Sequence, residues 1–295
     1  MKTIRLLAIA AVFPAAWLPA QTPMSPRSGA TTFDNVAEFA YAGRADIGEG
    51  SRRLGKIDSS QARVLAVTAM PLDSRNEFLA GFGAQWLEFH PPAGSLVPER
   101  LGSVSFKVGL NHQFDSPWSV RAEIDPGIYS DLAGGNRSFG APAALRLVYA
   151  ANRDLQWVLG ANVDPRSGHP IIGGVGVRWK FAPDWTLALL LPAPRVEWAV
   201  SENVALFAGA SLRGGTFRVA DNFGRMRGRP AFDGQIVDYR EINVGVGARW
   251  QLTPATALHC GLGQMLDRRF EFHDRNLLLN GDSAPSAQLT LTSAF

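Results

Sequence analysis

The sequence predicts an all-β protein: a single antiparallel transmembrane β-barrel of about fourteen strands, or twelve if one short pair belongs to a loop. Three observations carry this. The C-terminal segment alternates strictly and ends on an aromatic residue. The strand candidates are long. The connections between them alternate between short and long.

In Ala287-Gln288-Leu289-Thr290-Leu291-Thr292-Ser293-Ala294-Phe295, one face reads Phe295, Ser293, Leu291, Leu289, Ala287 and the other Ala294, Thr292, Thr290, Gln288. Side chains alternate across a strand, so the segment offers one greasy and one polar face. This is what a membrane barrel needs in its closing strand, and Leu289, Leu291 and Phe295 are the candidate signal for the outer-membrane assembly machinery.

The start of the chain agrees. Lys2 and Arg5 precede the apolar run 6–13, and Leu18-Pro19-Ala20 follows. This is the layout of a secretory signal peptide over residues 1–20, with an apolar run too short to span a bilayer as a helix. Residues 21–35 then read as a short periplasmic segment and 36–295 as the barrel. Without Lys2 and Arg5 the 29 basic residues fall to 27, against 26 acidic. That balance gives no case for nucleic acid as a partner. Cys260 is the only cysteine, which leaves no internal disulfide. After the signal no apolar run approaches the ~20 residues of a spanning helix; the longest, 187–191, stops at Pro192.

The strands follow in order. In 103–114, Val104, Phe106, Val108, Leu110 and Phe114 oppose Ser105, Lys107, Gly109, Asn111 and Gln113. In 118–125, Trp118, Val120, Ala122 and Ile124 oppose Ser119, Arg121, Glu123 and Asp125. In 171–181, Ile171, Val175, Val177, Trp179 and Phe181 oppose Gly174, Gly176, Arg178 and Lys180. In 242–252, Ile242, Val244, Val246, Ala248, Trp250 and Leu252 oppose Asn243, Gly245, Gly247, Arg249 and Gln251. In 258–272, Leu258, Cys260, Leu262, Leu266, Phe270 and Phe272 oppose His259, Gly261, Gly263, Asp267, Arg269 and Glu271. Such runs exceed the ~5–6 residues of soluble strands and suit the ~9–11 of a tilted membrane strand. Trp86, Trp118, Trp157, Trp179, Trp185, Trp198 and Trp250 lie in or at the ends of strands, where aromatic girdles sit.

The connections are long at 48–60, 90–101, 131–140, 220–234 and 273–284, and longer than a turn at 164–170. They are short at 115–117, 152–154, 182–184, 201–203 and 253–255, and intermediate at 71–76. Outer-membrane barrels have short periplasmic turns and longer external loops. The link 192–194 breaks the rhythm, and the short pair around it, 185–191 and 195–200, decides between fourteen strands and twelve.

If the apolar register faces lipid, the opposite register lines the lumen. It includes Lys107, Arg121, Glu123, Asp125, Arg146, Arg178, Lys180, Arg195, Glu197, Arg213, Glu241, Arg249, Asp267, Arg269 and Glu271. Opposite charges on neighbouring segments suit an ion-paired, filled lumen, since each buried charge needs a partner. They also suit a porin-like constriction that sorts small solutes by charge, and the basic excess leans towards small anionic or polar solutes. Residues 126–131 read as a turn, a kinked strand end or a constriction. Arg225, Arg227 and Arg229, on an external loop, could meet anionic lipopolysaccharide and lipid or fold into the mouth. His90, His112, His169, His259 and His273 form no Ser-His-acid or metal-ligand spacing, so neither catalysis nor a cofactor is expected. The rival class is an exported soluble β-sandwich that binds a ligand.

Three short motifs add a resemblance. Asp125-Pro126-Gly127-Ile128-Tyr129-Ser130-Asp131, Pro192-Ala193-Pro194-Arg195-Val196 and Asp267-Arg268-Arg269-Phe270 resemble an uncharacterised family of bacterial outer-membrane barrels, one labelled a domain of unknown function. The similarity covers roughly residues 100–295. It implies the barrel fold and the outer membrane of a Gram-negative-type bacterium, and it supplies no catalytic residues. Ser293 departs from the apolar or aromatic residue that terminal barrel signals often carry there.

Overall fold

The computed structural model describes residues 31–131 and 138–295. The expected signal peptide lies outside the described residues. Seventeen β-segments make the wall: β1 (Thr32–Glu49), β2 (Arg52–Pro71), β3 (Asn76–Phe89), β4 (Arg100–Gln113), β5 (Trp118–Ile124), β6 (Gly127–Ser130), β7 (Phe139–Gly140), β8 (Ala143–Ala150), β9 (Leu155–Val163), β10 (Ile171–Ala182), β11 (Trp185–Leu189), β12 (Arg195–Ala199), β13 (Val204–Arg218), β14 (Ile236–Thr253), β15 (Thr256–Phe272), β16 (Leu277–Gly281) and β17 (Ala284–Ala294). Three staves are creased, so that β5 with β6, β7 with β8, and β16 with β17 each continue one stave. The wall therefore has fourteen staves.

Each stave is antiparallel to its neighbours, and β1 pairs with both β2 and β17. Phe33 and Phe295 exchange two backbone hydrogen bonds of 3.0 Å beside that ladder. The sheet is thus a closed cylinder without an edge, the arrangement that satisfies the backbone in hydrocarbon. Free sheet margins, which a sandwich would show, are absent among the described residues. β1 starts at Thr32, so the last residues of the expected 21–35 segment already belong to the wall. β11 and β12, the pair in doubt, are true staves held by β10 and β13.

The end that holds Thr32 and Phe295 is the near end. Its turns are short, as at 254–255 between β14 and β15. Over the near and middle part of the wall the outer face is apolar: Val104, Phe106, Val108 and Leu110 on β4, Val246 and Trp250 on β14, and Leu289 and Leu291 on β17 are all exposed. The seven tryptophans face outward too, with Trp185 and Trp198 stacked at 5.8 Å. All but Trp86 lie beside near-end turns, which makes one aromatic girdle.

Above that band the faces exchange character. Ile47, Ile57, Phe89, Leu101, Phe217, Tyr239, Phe270, Phe272 and Leu279 point inward and merge into one buried core. The outer face carries Arg44, Asp46, Arg53 and Asp58, paired as Arg44–Asp58 (3.4 Å) and Arg53–Asp46 (2.5 Å). A wall that stands in water needs this order, greasy within and charged without. The exchange corrects two expectations. Residues 48–60 are strand, apart from the tight turn at 50–51, where Gly50 has φ 60. Residues 277–281 of the expected 273–284 loop are β16.

A bulge accounts for a third correction. Asn243 opposes Met265 but Ile242 opposes Asp267, so Leu266 is extra and β15 changes face there. Asp267, Arg269 and Glu271 consequently lie on the outer register, not in the lumen. Arg268, Phe270 and Phe272, fully buried, point inward.

The wall is uneven in height. β1, β2, β13, β14 and β15 run 15–20 residues, whereas β8 and β9 run 8 and 9, and β11 and β12 only 5 each. Above this low side the tall staves close on each other. β6 continues along β4 and then meets β13 through the parallel bridge Arg218↔Ser130, with Asp131 N–H donating to the Arg218 carbonyl at 3.0 Å.

Candidate functional site

The lumen is the candidate site, and its inward side chains form three layers. The middle layer is ionic. Lys107 on β4 reaches Glu123 Oε2 at 3.0 Å and Asp125 Oδ1 and Oδ2 at 2.7 and 3.0 Å. Glu123 also pairs with Arg121, its neighbour but one on β5, and with Arg146 on β8 at 3.6 Å. Across the lumen, Arg213 on β13 holds Glu38 of β1 at 3.1 Å, Glu241 of β14 at 3.7 Å, and Gln288 of β17. Arg268 joins through Glu241 at 3.6 Å and Ser59 at 2.8 Å. Tyr239 and Asn243 each donate to Glu241 at 2.7 Å. Arg63 on β2 lies between the two groups, lining a small void with Lys107 and Asp125 and the larger cavity with Glu38 and Arg213. Charges this buried persist only with partners, and alternation on adjacent staves supplies them.

The far layer is the apolar core, lidded by loop 219–235. Phe223 and Phe232 from that loop pack on Phe272 with ring centroids 6.1 and 5.4 Å apart. Arg227 donates to the Ser95 carbonyl at 2.9 Å and pairs with Glu99 at 3.4 Å, and Arg229 pairs with Glu49 at 3.3 Å. Arg227 and Arg229 therefore fasten the loop over the mouth, while Arg225 bonds within the loop. Within the loop, Asp233 accepts from the Gly224 and Arg225 N–H groups at 2.8 and 2.9 Å and from Arg225 Nε at 2.6 Å. Desolvation pushes the Asp233 carboxyl up, but those donors and the Arg225 charge outweigh it and hold the group below the usual carboxylate range.

The near layer holds Arg195 with Glu197 on β12, Arg178 on β10, Arg249 on β14 and His259 on β15. A cavity of about 220 Å³ opens between it and the ionic layer, lined among others by Glu38, Arg63, Arg195, Arg213 and His259. Glycines 209, 245, 261 and 263 face it and leave the room. One side of it reaches Leu190, Pro192 and Ala193, the link between the two shortest staves. That link closes the wall by hydrogen bonds from Ala210 and Leu212 to the Pro194 and Pro192 carbonyls, at 2.9 and 2.7 Å.

Ten expected lumen residues, from Lys107, Arg121, Glu123 and Arg146 through Arg178, Arg195, Glu197, Arg213, Glu241 and Arg249, stand on the inward register. Lys180 is exposed at the near rim beside the turn 151–154. Asp267, Arg269 and Glu271 are outside, where Asp267 pairs with Arg240 at 3.4 Å and Arg269 at 3.0 Å. Sequence reasoning missed Glu38, Arg63 and Arg268. The alternation through Gln61, Arg63, Leu65 and Val67 was the available signal for Arg63, and the doubled apolar pair Met265-Leu266 was the signal for the bulge that turns Arg268 inward. Among the described residues no three His, Cys, Asp or Glu side chains lie close enough to hold a metal.

A family model described as Domain of unknown function (DUF6268) matches residues 85–291. The chain belongs to this family. The three motifs that carried the resemblance each fall at an irregularity of the wall. Residues 125–131 are the β5–β6 crease, with Tyr129 OH donating to the Asp125 carbonyl at 2.8 Å and Asp131 accepting from Ala220 N–H at 2.7 Å. Residues 192–196 are the low link and the start of β12, and 267–270 follow the bulge. No curated protein matches the chain. Among solved structures, the COG4313 outer membrane channel from Pseudomonas putida F1 superposes with a TM-score of 0.52 at 10% identity, covering 93% of this chain and 99% of that one. A TodX deltaS2S3 mutant, described as a monoaromatic hydrocarbon channel, gives a TM-score of 0.51 at 11% identity and covers 90% of each chain. At such identities the likeness concerns the fold: this is the barrel architecture of outer-membrane channels.

Proposed function

We propose that this chain is an outer-membrane channel for small solutes whose route leaves the lumen at the side of the barrel, beside β11 and β12. The observation that carries the reading is the cavity. It lies below an apolar core that fills the far end, and it meets the wall where the wall is lowest. A solute moving along the axis would have to break both the ion-paired layer and that core. A solute moving sideways meets only the link 190–194. The fold shared with channel proteins supports passage over a purely structural barrel, and the membrane-facing tryptophan girdle supports the location. Among the described residues the lumen groups no nucleophile with a base, and the chemistry assigned here is passage.

The experiment is permeation in proteoliposomes beside conductance in planar bilayers. Vesicles with the barrel should take up small organic solutes faster than protein-free ones. Ala193→Trp, placed on the link, should slow this severalfold, and bilayers should show no steady porin-sized current. Uptake equal to that of empty vesicles would overturn the channel. A large steady current would move the route to the axis.

A further inference from the structure

Basic groups outnumber acids in the near layer. Arg195 has Glu197 as an ion partner. Arg249 has one side-chain partner, the neutral Gln251 Oε1 at 3.2 Å, and its buried Nε makes no hydrogen bond. Arg178 has no acidic partner among the described residues. Three guanidinium groups thus share one carboxylate. The charges of Arg195 and Arg249 both act on His259, which stands directly across the β14–β15 ladder from Arg249 and lines the cavity. An anion entering here would meet an unmatched positive field in a site partly closed to water, where it is screened least.

The rest of the cavity is mixed: Glu38, Gln61, Arg63 and Arg213 of the ionic layer face it on one side, and an apolar patch faces it on the other. Phe207 lies under the Arg195 guanidinium at 5.5 Å, and Leu190, Pro192 and Ala193 form the opposite side. The volume of about 220 Å³ would hold on the order of seven waters at ~30 Å³ each, which is room for a compact organic molecule. A bare hydrocarbon would leave the guanidinium groups unpaired at a cost. An inorganic ion would leave the apolar side unfilled.

We propose that this pocket binds a small organic carboxylate. The planar head lies on the fork of Arg195, whose geometry matches a carboxylate, while Arg249, the register partner of His259, adds its charge from outside the lining. The apolar body lies over Gly261, between Phe207 and the 190–193 link. This names a substrate class for the proposed channel and rests on that reading for its purpose. Binding and passage are nevertheless separately measurable.

The test is calorimetric titration of the detergent-solubilised full barrel with benzoate, its neutral counterpart benzamide, and sulfate. Folding of every variant is checked by heat-modifiable migration. Benzoate should bind at least tenfold more tightly than either comparison ligand. Arg195→Gln should weaken benzoate tenfold or more and leave benzamide unchanged. Arg249→Gln removes no ion pair and only a charge behind the lining, so it should weaken benzoate severalfold, less than Arg195→Gln, and leave benzamide unchanged. Gly261→Leu should abolish benzoate binding, because a side chain there points into free space: a Cβ would meet nothing nearer than 3.7 Å. Equal affinity for benzoate and benzamide, indifference to both arginine variants, or no benzoate binding by the folded barrel would each overturn the proposal. Sulfate bound as tightly as benzoate would replace it with a general anion site. If benzoate binds as described but vesicles take up nothing, the channel reading falls and the pocket stands.

Discussion

Replacing Lys107 by Met should be among the most damaging single changes in the barrel. The Lys107 side chain is 3% exposed, and it holds two carboxylates at once. Without the ammonium, Glu123 keeps Arg121 and Arg146. Asp125 loses contacts of 2.7 and 3.0 Å and is left 12% exposed with no hydrogen-bonded cation. Stranding one partner of a buried pair costs about 3–5 kcal/mol, a fall of about a hundredfold or more in the folding constant. Lys107→Met with Asp125→Asn removes the stranded charge as well and should recover at least about 2 kcal/mol of that loss. Urea-dependent folding into lipid vesicles measures both, with the lipid-facing tryptophans as the fluorescent reporter. A single variant within about 1 kcal/mol of wild type, or a double variant no better than the single, would refute the view that this layer is dry and mutually dependent.

In the far core, Phe270→Ala should cost about 3–5 kcal/mol in the same assay, as a fully buried aromatic does; a cost near zero would mean that the far end is wet. Gly263→Ala should destabilise the wall, because its Cβ would stand 2.1 Å from the Val244 carbonyl oxygen, whereas Gly261→Ala should fold normally; equal stabilities would contradict the close approach of β14 and β15. The lid loop should loosen in acid. The Asp233 pKa is depressed in the folded protein, so its contribution is fully present above the ordinary carboxylate range and is lost as pH falls through the folded value. Exchange of the Gly224 and Arg225 amides, corrected for intrinsic rate, should rise on that descent, and Asp233→Asn should remove the dependence.

Much of the architecture was legible because the bilayer imposes one rule on every stave it contains. Val104 to Leu110 and Val244 to Trp250 alternate so regularly that face and lumen follow directly from period 2. The same rule fails above the membrane. There the solvent outside is water, and Ile47, Ile57, Phe270 and Phe272 turn inward while charges turn out, so 48–60 looked like a polar loop. The bulge at Leu266 compounded this. One extra residue moved Asp267, Arg269 and Glu271 to the outside, since a slip of one changes every face beyond it. The ionic layer was half visible: Lys107, Glu123, Arg213 and Glu241 stand on clean alternating segments. Arg63 stands on an alternating segment with apolar residues on both faces, and Arg268 stands beyond the bulge, where the register was hidden. The cavity was not readable at all, because it is set by the heights of β11 and β12 relative to their neighbours, a quantity with no local signature.

Closure of the first stave on the last carries everything else, and a cysteine pair measures it directly. Val36 and Thr292 are register partners on the inward face, three positions from the hydrogen-bonded pair Phe33–Phe295 and so at a non-hydrogen-bonded position, where Cα atoms approach to about 4.5 Å. In a Cys260→Ala background, Val36→Cys with Thr292→Cys should oxidise within one chain in the inserted protein and give a looped species on denaturing gels that reductant reverses. Free thiols after oxidation of fully inserted protein, or disulfides only between chains, would contradict the closed cylinder.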